Sequence, residues 1–269
     1  MTDSTTDRPP AFFLPVDTDE FDSTVATASP WDLTMQHGGP PAALLARAVE
    51  RVRPDPDMAI ARLTADMLGP IPQGRIRTEA TILRPGKRIE MVEAKLWANG
   101  KLAVTATAWR IRRSPGSTQA QAQASQVPVP PLPGEQPQRY FPRVSPDWGY
   151  GRAIEWRFVH GGYQHPGPAS VWTRLRIPLV LGEETAPVHY LAVVADSANG
   201  ISAELSPIEW AFIPPSVTLT LGREPAGDWI NLSARSHIAD SGTGFTQGEL
   251  FDRSGLVGSV EQPLLVMRQ

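Results

Sequence analysis

LGPIPQG at residues 68–74 is repeated as LGREPAG at residues 221–227, with four of the seven residues identical and an offset of 153. Each stretch follows a segment typical of a β-strand, ARLTADM at 61–67 in the first case and PSVTLTL at 215–221 in the second. Each also precedes a further β-prone segment. Because the same order of elements surrounds both stretches, we expect the chain of 269 residues to contain two halves with the same fold.

Each half also contains one predicted helix upstream of its strands. Residues 40–52, PPAALLARAVERV, begin with proline, which the first turn of a helix tolerates. Residues 187–199, PVHYLAVVADSAN, are followed by Gly200, a residue type common at helix C-termini. Each half ends in a predicted hairpin, turning at Asn99–Gly100 in the first and near Ser254–Gly255 in the second. One helix against one face of an antiparallel sheet in each half predicts the α+β class.

A stretch rich in proline, glutamine, alanine and serine separates the two halves. It covers residues 114–146 and contains few apolar residues larger than valine, a composition typical of an extended linker. The sequence therefore predicts an N-terminal unit over residues 1–113 and a C-terminal unit over residues 147–269. We expect a pseudo-twofold relation between the two units, with residues 114–140 poorly ordered or lying on the surface.

Composition excludes several classes of protein and site. The chain contains no cysteine, so disulfides, thiolate zinc sites and a cysteine nucleophile are ruled out. Its five histidines form neither HxxxH nor HExxH, and we expect no metal and no cofactor. A net charge of −3 weighs against nucleic acid as the main partner. With no run of 18 apolar residues and no basic and apolar leader in MTDSTTDRPP, we expect a cytoplasmic protein without a membrane-spanning helix.

A carboxylate ends an apolar segment in the second half, YLAVVADSANG at 190–200. A buried and unpaired Asp196 would be costly, so this residue needs a partner or a function. In the last turn of the predicted helix, both the helix dipole and partial burial raise the pKa of the carboxyl group, which makes it a better base near neutral pH. The alternative is a solvated acid at a frayed helix end.

Two further polar residues lie on predicted strands of the second half. Gln262 interrupts the more apolar face of the segment 256–266, so its amide requires a partner such as a bound water, a carboxylate or nearby backbone. Ser216 alternates with Thr218 and Thr220, a pattern that a solvated strand face also gives. Gln262 is therefore the stronger of the two candidates for a functional site.

The segment HGGPP at 37–41 precedes the first predicted helix. Gly38 and Gly39 allow backbone N–H groups to approach a ligand closely, and a helix N-terminus favours negative charge. Together with His37, these residues are candidates for binding an anionic group. The alternative is a plain turn from loop to helix, with His37 as a packing residue.

Four stretches in this order resemble the acyl-CoA thioesterase II-like proteins, specifically a branch typical of actinobacteria. They are HGGPPAALLARA at 37–48, ADSANGIS at 195–202, PPSVTLTL at 214–221 and GELFDRSGLVGSVEQPLLV at 248–266. The resemblance implies a double hotdog, two tandem units in each of which a curved antiparallel sheet wraps one long helix. It also implies a homodimer or a larger homo-oligomer.

The activity implied by this resemblance is hydrolysis of the thioester of a small-molecule acyl-CoA by an activated water, without a cofactor. The family's catalytic aspartate, hydroxyl and glutamine correspond to Asp196, Ser216 and Gln262. The HGG segment at 37–39 would then face the thioester oxyanion or a CoA phosphate. This chain departs from the family pattern near the hydroxyl, where Thr218 replaces an acidic residue.

Two other functions compete with hydrolysis. Double-hotdog dehydratases pair a histidine from one half with an aspartate from the other, and His37 and Asp196 occupy suggestive places for such a pair. The dehydratase patterns HxxxGxxxxP, DxxxQ and DxxxH, and the hydratase pattern DxNxxH, are however absent around these two residues. A catalytically silent acyl-thioester-binding protein is the remaining alternative, which the departure near Ser216 leaves open.

Overall fold

The computed structural model describes residues 8–114, 116, 127–142 and 144–269. The strands in these ranges are β1 (Phe13–Pro15), β2 (Glu20–Ser23), β3 (Met58–Met67), β4 (Arg75–Arg84), β5 (Ile89–Ala98), β6 (Lys101–Arg112), β7 (Ile154–His160), β8 (Ala169–Leu175), β9 (Trp210–Ile213), β10 (Ser216–Leu221), β11 (Ile230–Ile238), β12 (Thr243–Asp252) and β13 (Gly255–Arg268). The helices are α1 (Gly39–Arg51), α2 (Gly149–Ala153), α3 (Pro187–Ala195) and α4 (Ala198–Ile201).

Two similar sets of strands meet edge to edge in the middle of one antiparallel sheet. β3 of the first half pairs with β10 of the second, with Leu63 opposite Leu219. Outward from this pair, the order is β3-β6-β5-β4-β2-β1 on one side and β10-β13-β12-β11-β8-β7 on the other, while β9 pairs with β13. Both halves thus place a helix before four strands of the same connectivity, and the predicted duplication is confirmed.

The helices cover the sheet and meet where the halves join. α1 packs on β4, β5 and β6 of its own half and crosses α3 of the other half, whereas α4 packs on β11 and β12. α3 is buried from Val188 to Ala195 between the sheet and the first half, and its side chains are apolar except for His189 and the hydroxyl of Tyr190. Within the described ranges, no helix is long and apolar enough to cross a membrane.

The second predicted helix ends earlier than the sequence indicates. α3 stops at Ala195 with Asp196 as its C-cap residue, and the separate short helix α4 contains Gly200, which therefore does not cap α3. A side chain from the sheet interrupts the helix. The Asn199 N–H donates to Oε1 of Gln262 at 3.1 Å, and Nε2 of Gln262 donates to the Asp196 carbonyl at 3.3 Å. These bonds replace the regular hydrogen bonds of a continuous helix.

The described part of the linker lies along the outer strands of the second half. Nε1 of Trp172 donates to the carbonyl of Pro130 at 3.2 Å, and Gln136 exchanges two hydrogen bonds with the backbone of Phe158. This agrees with the expected surface path for 127–140, whereas residues 115 and 117–126 of the predicted segment 114–140 lie outside the described residues. The linker also contributes the buried Phe141, whose ring contacts Trp31 of the first half. The division into units at 114–146 stays a prediction.

Candidate active site

The N-terminus of α1 meets the C-terminus of α3, and glycine is required at this contact. A Cβ at Gly39 would lie 2.0 Å from the Val193 carbonyl oxygen, and a Cβ at Gly38 would lie 2.9 Å from Oδ2 of Asp196. The contact at Gly39 is with backbone and is far below normal contact, so a side chain there would separate the helices, whereas the neighbours of Gly38 are side-chain atoms. The glycines of HGG permit a close approach to α3 and to the Asp196 carboxylate, and the binding of a ligand anion by His37, Gly38 and Gly39 stays a prediction.

Asp196 is buried and held by residues from both halves. Its Oδ1 accepts a hydrogen bond from Nε2 of Gln262 at 2.9 Å, and its Oδ2 lies 3.1 Å from Nδ1 of His37. The backbone N–H groups of Gly38 and Gly39 also lie close enough to lower the pKa of the carboxyl group. The carboxylate thus lies at the positive N-terminal end of α1, which belongs to the opposite half.

Burial dominates the titration of this pair. It raises the pKa of Asp196 to about 7, although Gly38, Gln262 and Gly39 oppose the change by hydrogen bonding to the carboxylate. Burial also lowers the pKa of His37 to about 3. At neutral pH the imidazole is therefore uncharged, while the carboxyl group is near the midpoint of its titration. The predicted rise in the Asp196 pKa agrees with this, with burial as its main cause.

Tyr150 of α2 fixes the imidazole ring. The rings of His37 and Tyr150 stack with centroids 4.2 Å apart and planes 13° from parallel. The Tyr150 hydroxyl donates to the Val193 carbonyl at 2.8 Å and lies 2.9 Å from Oγ of Ser197, so it is anchored to the end of α3. The Gly39 N–H donates a hydrogen bond to Nδ1 of His37 at 3.3 Å. The ring is thus held in one orientation from several sides.

A largely apolar cavity of about 440 Å³ opens onto this pair. His37, Gly38 and Asp196 line it, together with Asn199. The apolar wall comes from the loop before α1, the end of β3 and the segment before β10, and its members are Trp31, Met35, Met67, Pro70, Ile71, Ile213, Pro214 and Pro215. A larger depression of about 720 Å³ at the edge of the second half contains neither His37 nor Asp196. The arrangement joins an apolar binding space to a titratable carboxylate.

Gln262 occupies the position that its sequence pattern indicates. Val260, Gln262 and Leu264 are buried on one face of β13, so the amide does interrupt an apolar surface. Its partner is a carboxylate, one of the alternatives expected, and its Oε1 is engaged by the Asn199 N–H. Both ends of the amide are thus used to hold the end of α3. A catalytic role for Gln262 remains a prediction.

Ser216 is not brought to the carboxylate. Thr218 pairs with Glu261 across β10 and β13, so the alternation of side chains places Ser216 on the same face of the sheet as Glu261 and Gln262 on the opposite face. Ser216 also has no hydrogen bond to Asp196 or Gln262 in the described part of the chain and does not line the cavity. The geometry therefore corrects its predicted place in the catalytic set. The hydroxyl nearest in sequence, Ser197, contacts Tyr150 instead.

Sequence reasoning missed Tyr150 and underestimated His37. Tyr150 lies in DWGYGRA at 147–153, beside the linker and outside every periodic segment, so no local signal marks it. The sequence places His37 in substrate binding or packing, or beside Asp196 in the dehydratase alternative, and only the fold shows the contact between these two residues, which lie far apart in sequence. The HGG segment and the apolar run ending in a carboxylate were the available signals, and the fold brings them together.

Family comparison agrees with the fold. Residues 27–111 match the family model of the acyl-CoA thioesterase N-terminal domain, and residues 124–266 match that of the acyl-CoA thioesterase C-terminal domain. The chain belongs to the acyl-CoA thioesterase family. A search of curated protein sequences gave no match. The resemblance inferred from four short stretches is therefore confirmed at the level of the family.

Solved structures show that this acyl-CoA thioesterase family member has a double-hotdog fold. A protein with a hot dog fold from Alicyclobacillus acidocaldarius is 19% identical with a TM-score of 0.74, covering 96% of this chain and 97% of its own. A putative thioesterase II from Thermobifida fusca is 18% identical with a TM-score of 0.70, covering 96% of each chain. An acyl-CoA thioesterase II from Mycobacterium marinum is 17% identical with a TM-score of 0.67, covering 96% and 95%. The predicted α+β double hotdog is confirmed.

Proposed function

We propose that this protein hydrolyses the thioester of an acyl-CoA by an activated water. The observation that carries the proposal is the Asp196 carboxylate, buried at an apolar cavity and held by Gln262 and His37. An apolar cavity suits an acyl group, and a carboxylate with a pKa near neutrality suits proton transfer from water. The family supplies the thioester as substrate class, and the reaction requires no cofactor.

Asp196 acts on the attacking water, either as its base or by orienting it. Gln262 contributes by keeping the carboxylate in place, since its Nε2 bonds to Oδ1 directly. In the HGG segment at 37–39, the backbone N–H groups of Gly38 and Gly39 lie at the Asp196 carboxylate and favour its ionised form, which is the form that accepts a proton from water. The residues that perform the reaction therefore come from both halves of the chain.

A thiol-release assay over a panel of straight-chain acyl-CoAs tests this function, and the absence of cysteine removes any background from the protein's own thiols. Asp196→Asn keeps the shape of the side chain, so the variant should fold. We expect its turnover to fall roughly 100- to 10,000-fold with a much smaller change in KM. Gln262→Ala should lose less, because water can partly replace an orienting amide. An Asp196→Asn variant with wild-type turnover would overturn the assignment.

Dehydration of a β-hydroxyacyl thioester is the second candidate, because His37 and Asp196 lie 3.1 Å apart. Assaying β-hydroxyacyl-CoA dehydration beside hydrolysis separates the two activities, and we expect hydrolysis alone. Tight binding of acyl-CoA without either reaction would instead identify a silent acyl-thioester-binding protein.

We also propose a homo-oligomer, at least a homodimer, located in the cytoplasm. The oligomer is supported by the family resemblance. Sedimentation at micromolar concentration measures the first, and fractionation of the source cells measures the second.

A further inference from the structure

Asn199 of α4 presents an amide oxygen without a donor at the cavity. The residue is only 5% exposed and lines the cavity together with Asp196. Its Nδ2 donates to the Phe212 carbonyl at 2.9 Å, and because a carbonyl can only accept, this bond fixes which end of the amide is the oxygen. Oδ1 accepts no hydrogen bond from the described residues and is not enclosed by them. It is therefore available to a small molecule that donates a hydrogen bond.

Gln262 holds Asn199 and Asp196 in one frame but does not itself reach the cavity. Its Oε1 accepts from the Asn199 N–H at 3.1 Å, and its Nε2 donates to Oδ1 of Asp196 at 2.9 Å. Gln262 is 1% exposed and does not line the cavity. Gln36 does line it, but its Oε1 is enclosed and its Nε2 donates to the Pro72 carbonyl. Of these three amides, Asn199 is the one with an oxygen available beside the carboxylate.

We propose that Asn199 orients the attacking water, with its Oδ1 accepting one hydrogen bond of that water while the Asp196 carboxylate accepts the other. This inference deepens the proposed thioester hydrolysis and rests on it. It gives Asn199 the water-orienting task for which the sequence put forward Ser216, whose side chain lies on the opposite face of the sheet from Gln262.

Two acceptors determine the orientation of a water, whereas one does not. A water held by Asp196 alone rotates about that single hydrogen bond and faces the thioester carbon only part of the time. When Asn199 accepts the second proton, a lone pair of the water oxygen is left to face the carbon. An amide oxygen suits this task because it is a far weaker base than a carboxylate, so the transferred proton goes to Asp196.

In the proposed step, the water oxygen forms a bond to the thioester carbon and the carbonyl oxygen becomes an oxyanion. The water proton that faces Asp196 moves to the ionised carboxylate, whereas the proton that faces Asn199 stays on the water oxygen. The oxyanion then collapses, the carbon–sulfur bond breaks, and the proton on Asp196 moves to sulfur. The products are a carboxylic acid and a thiol, and both side chains return to their initial state.

Asn199→Ala removes the proposed acceptor, and Asn231→Ala is its matched control. Asn231 is a buried asparagine of the same half that does not line the cavity, and its amide donates to Ser170 at 3.0 Å and accepts from Ser233 at 2.8 Å. Thermal denaturation should show a loss of stability in both variants, because each loses a buried hydrogen bond.

Only the Asn199 variant should lose turnover. We expect its kcat to fall at least about tenfold with KM changed less than about threefold, while kcat of Asn231→Ala stays within about threefold of wild type. A kcat loss below about tenfold for Asn199→Ala would overturn the assignment, and so would a loss carried by KM. An equal loss of kcat in Asn231→Ala would show that destabilisation alone lowers turnover.

A crystal structure of the wild-type protein tests the inference even if both variants unfold. We expect an ordered water within about 3.2 Å of both Oδ1 of Asn199 and an oxygen of Asp196. Asn199 also borders a pocket of about 30 Å³ with Ser197 and Tyr163, which Asp196 does not line. A water confined to that pocket, or no water shared with Asp196, would contradict the assignment. Absence of thioester hydrolysis by the wild type would overturn the proposed function, whereas hydrolysis with an unaffected Asn199→Ala variant would overturn the role of Asn199 alone.

Discussion

At the scale of single residues, burial of the Asp196 carboxyl group lowers the stability of the folded protein when that group is ionised. Its pKa is raised to about 7 in the folded protein, so the folded state binds more protons than the unfolded state between about pH 4 and 7. The contribution of this group to stability is therefore complete below about pH 4 and is lost as pH rises through 7. The pH dependence of stability that His37 causes has the opposite sign. Because its pKa is lowered in the folded protein, the contribution of His37 to stability is lost as pH falls from about 6.5 towards 3.

Asp196→Asn should therefore stabilise the protein, and more so at high pH. A shift of the Asp196 pKa from 3.8 to about 7 corresponds to at most about 4 kcal/mol once the group is ionised. Urea denaturation at pH 8 should show the variant more stable than wild type, with a smaller difference at pH 5. Asp32→Asn is the control, since hydrogen bonds from Thr34 lower the pKa of that carboxyl. A variant less stable than wild type at pH 8 would show that Asp196 is needed for folding.

At the scale of elements, the site depends on how closely two helices approach. α1 contributes its N-terminus and α3 its C-terminus, so the partial charges at the two ends attract each other across the contact. The distance is set by Gly39, because only a hydrogen atom fits against the Val193 carbonyl. The sheet fixes the position of the C-terminus of α3, since Gln262 on β13 hydrogen-bonds to the backbone of Asp196, at the end of α3, and of Asn199, in α4.

Gly39→Ala should force the helices apart. The added Cβ would meet the Val193 oxygen at 2.0 Å, and backbone atoms cannot move aside as a flexible side chain can. We expect a loss of about 1–3 kcal/mol or more in the free energy of unfolding, together with lower turnover. Gly200→Ala is the control, because its Cβ would meet no atom within 4 Å and it lies within α4. Equal stability of the two variants in thermal denaturation would contradict the close contact.

At the scale of the whole molecule, the described residues form two similar halves, and the candidate site lies at one of the two crossings between α1 and α3. The hairpins β5–β6 and β12–β13 have a register shift at the same place, after Leu96 in the first and after Leu250 in the second. When the two hairpins are aligned on this shift, Ala108 of the first half occupies the position that Gln262 occupies in the second. At the start of α3, the sequence ETAP at 184–187 takes the place of the HGGP sequence found at 37–40 at the start of α1. At the C-terminal end of α1, Arg110 donates hydrogen bonds to the carbonyls of Val49 and Arg53 and forms an ion pair with the buried Glu90.

We therefore expect one substrate site per chain. Titration of the protein with a non-hydrolysable acyl-CoA thioether in a calorimeter should give a stoichiometry of one per chain. The Asp196→Asn variant should give the same number, because the cavity walls are unchanged. A stoichiometry of two would mean that the second helix crossing also binds substrate.

The sequence alone determined the duplication, the α+β class and the family, because these depend on order and periodicity along the chain. It also indicated Asp196 and Gln262, since each places a polar group within an apolar segment. The contact of His37 with Asp196, the support from Tyr150 and the face on which Ser216 lies required the tertiary structure. Helix crossings and strand register join residues that lie about 40 to about 160 positions apart. Local pattern carries no information about which ends of two helices meet, and that meeting creates the candidate site.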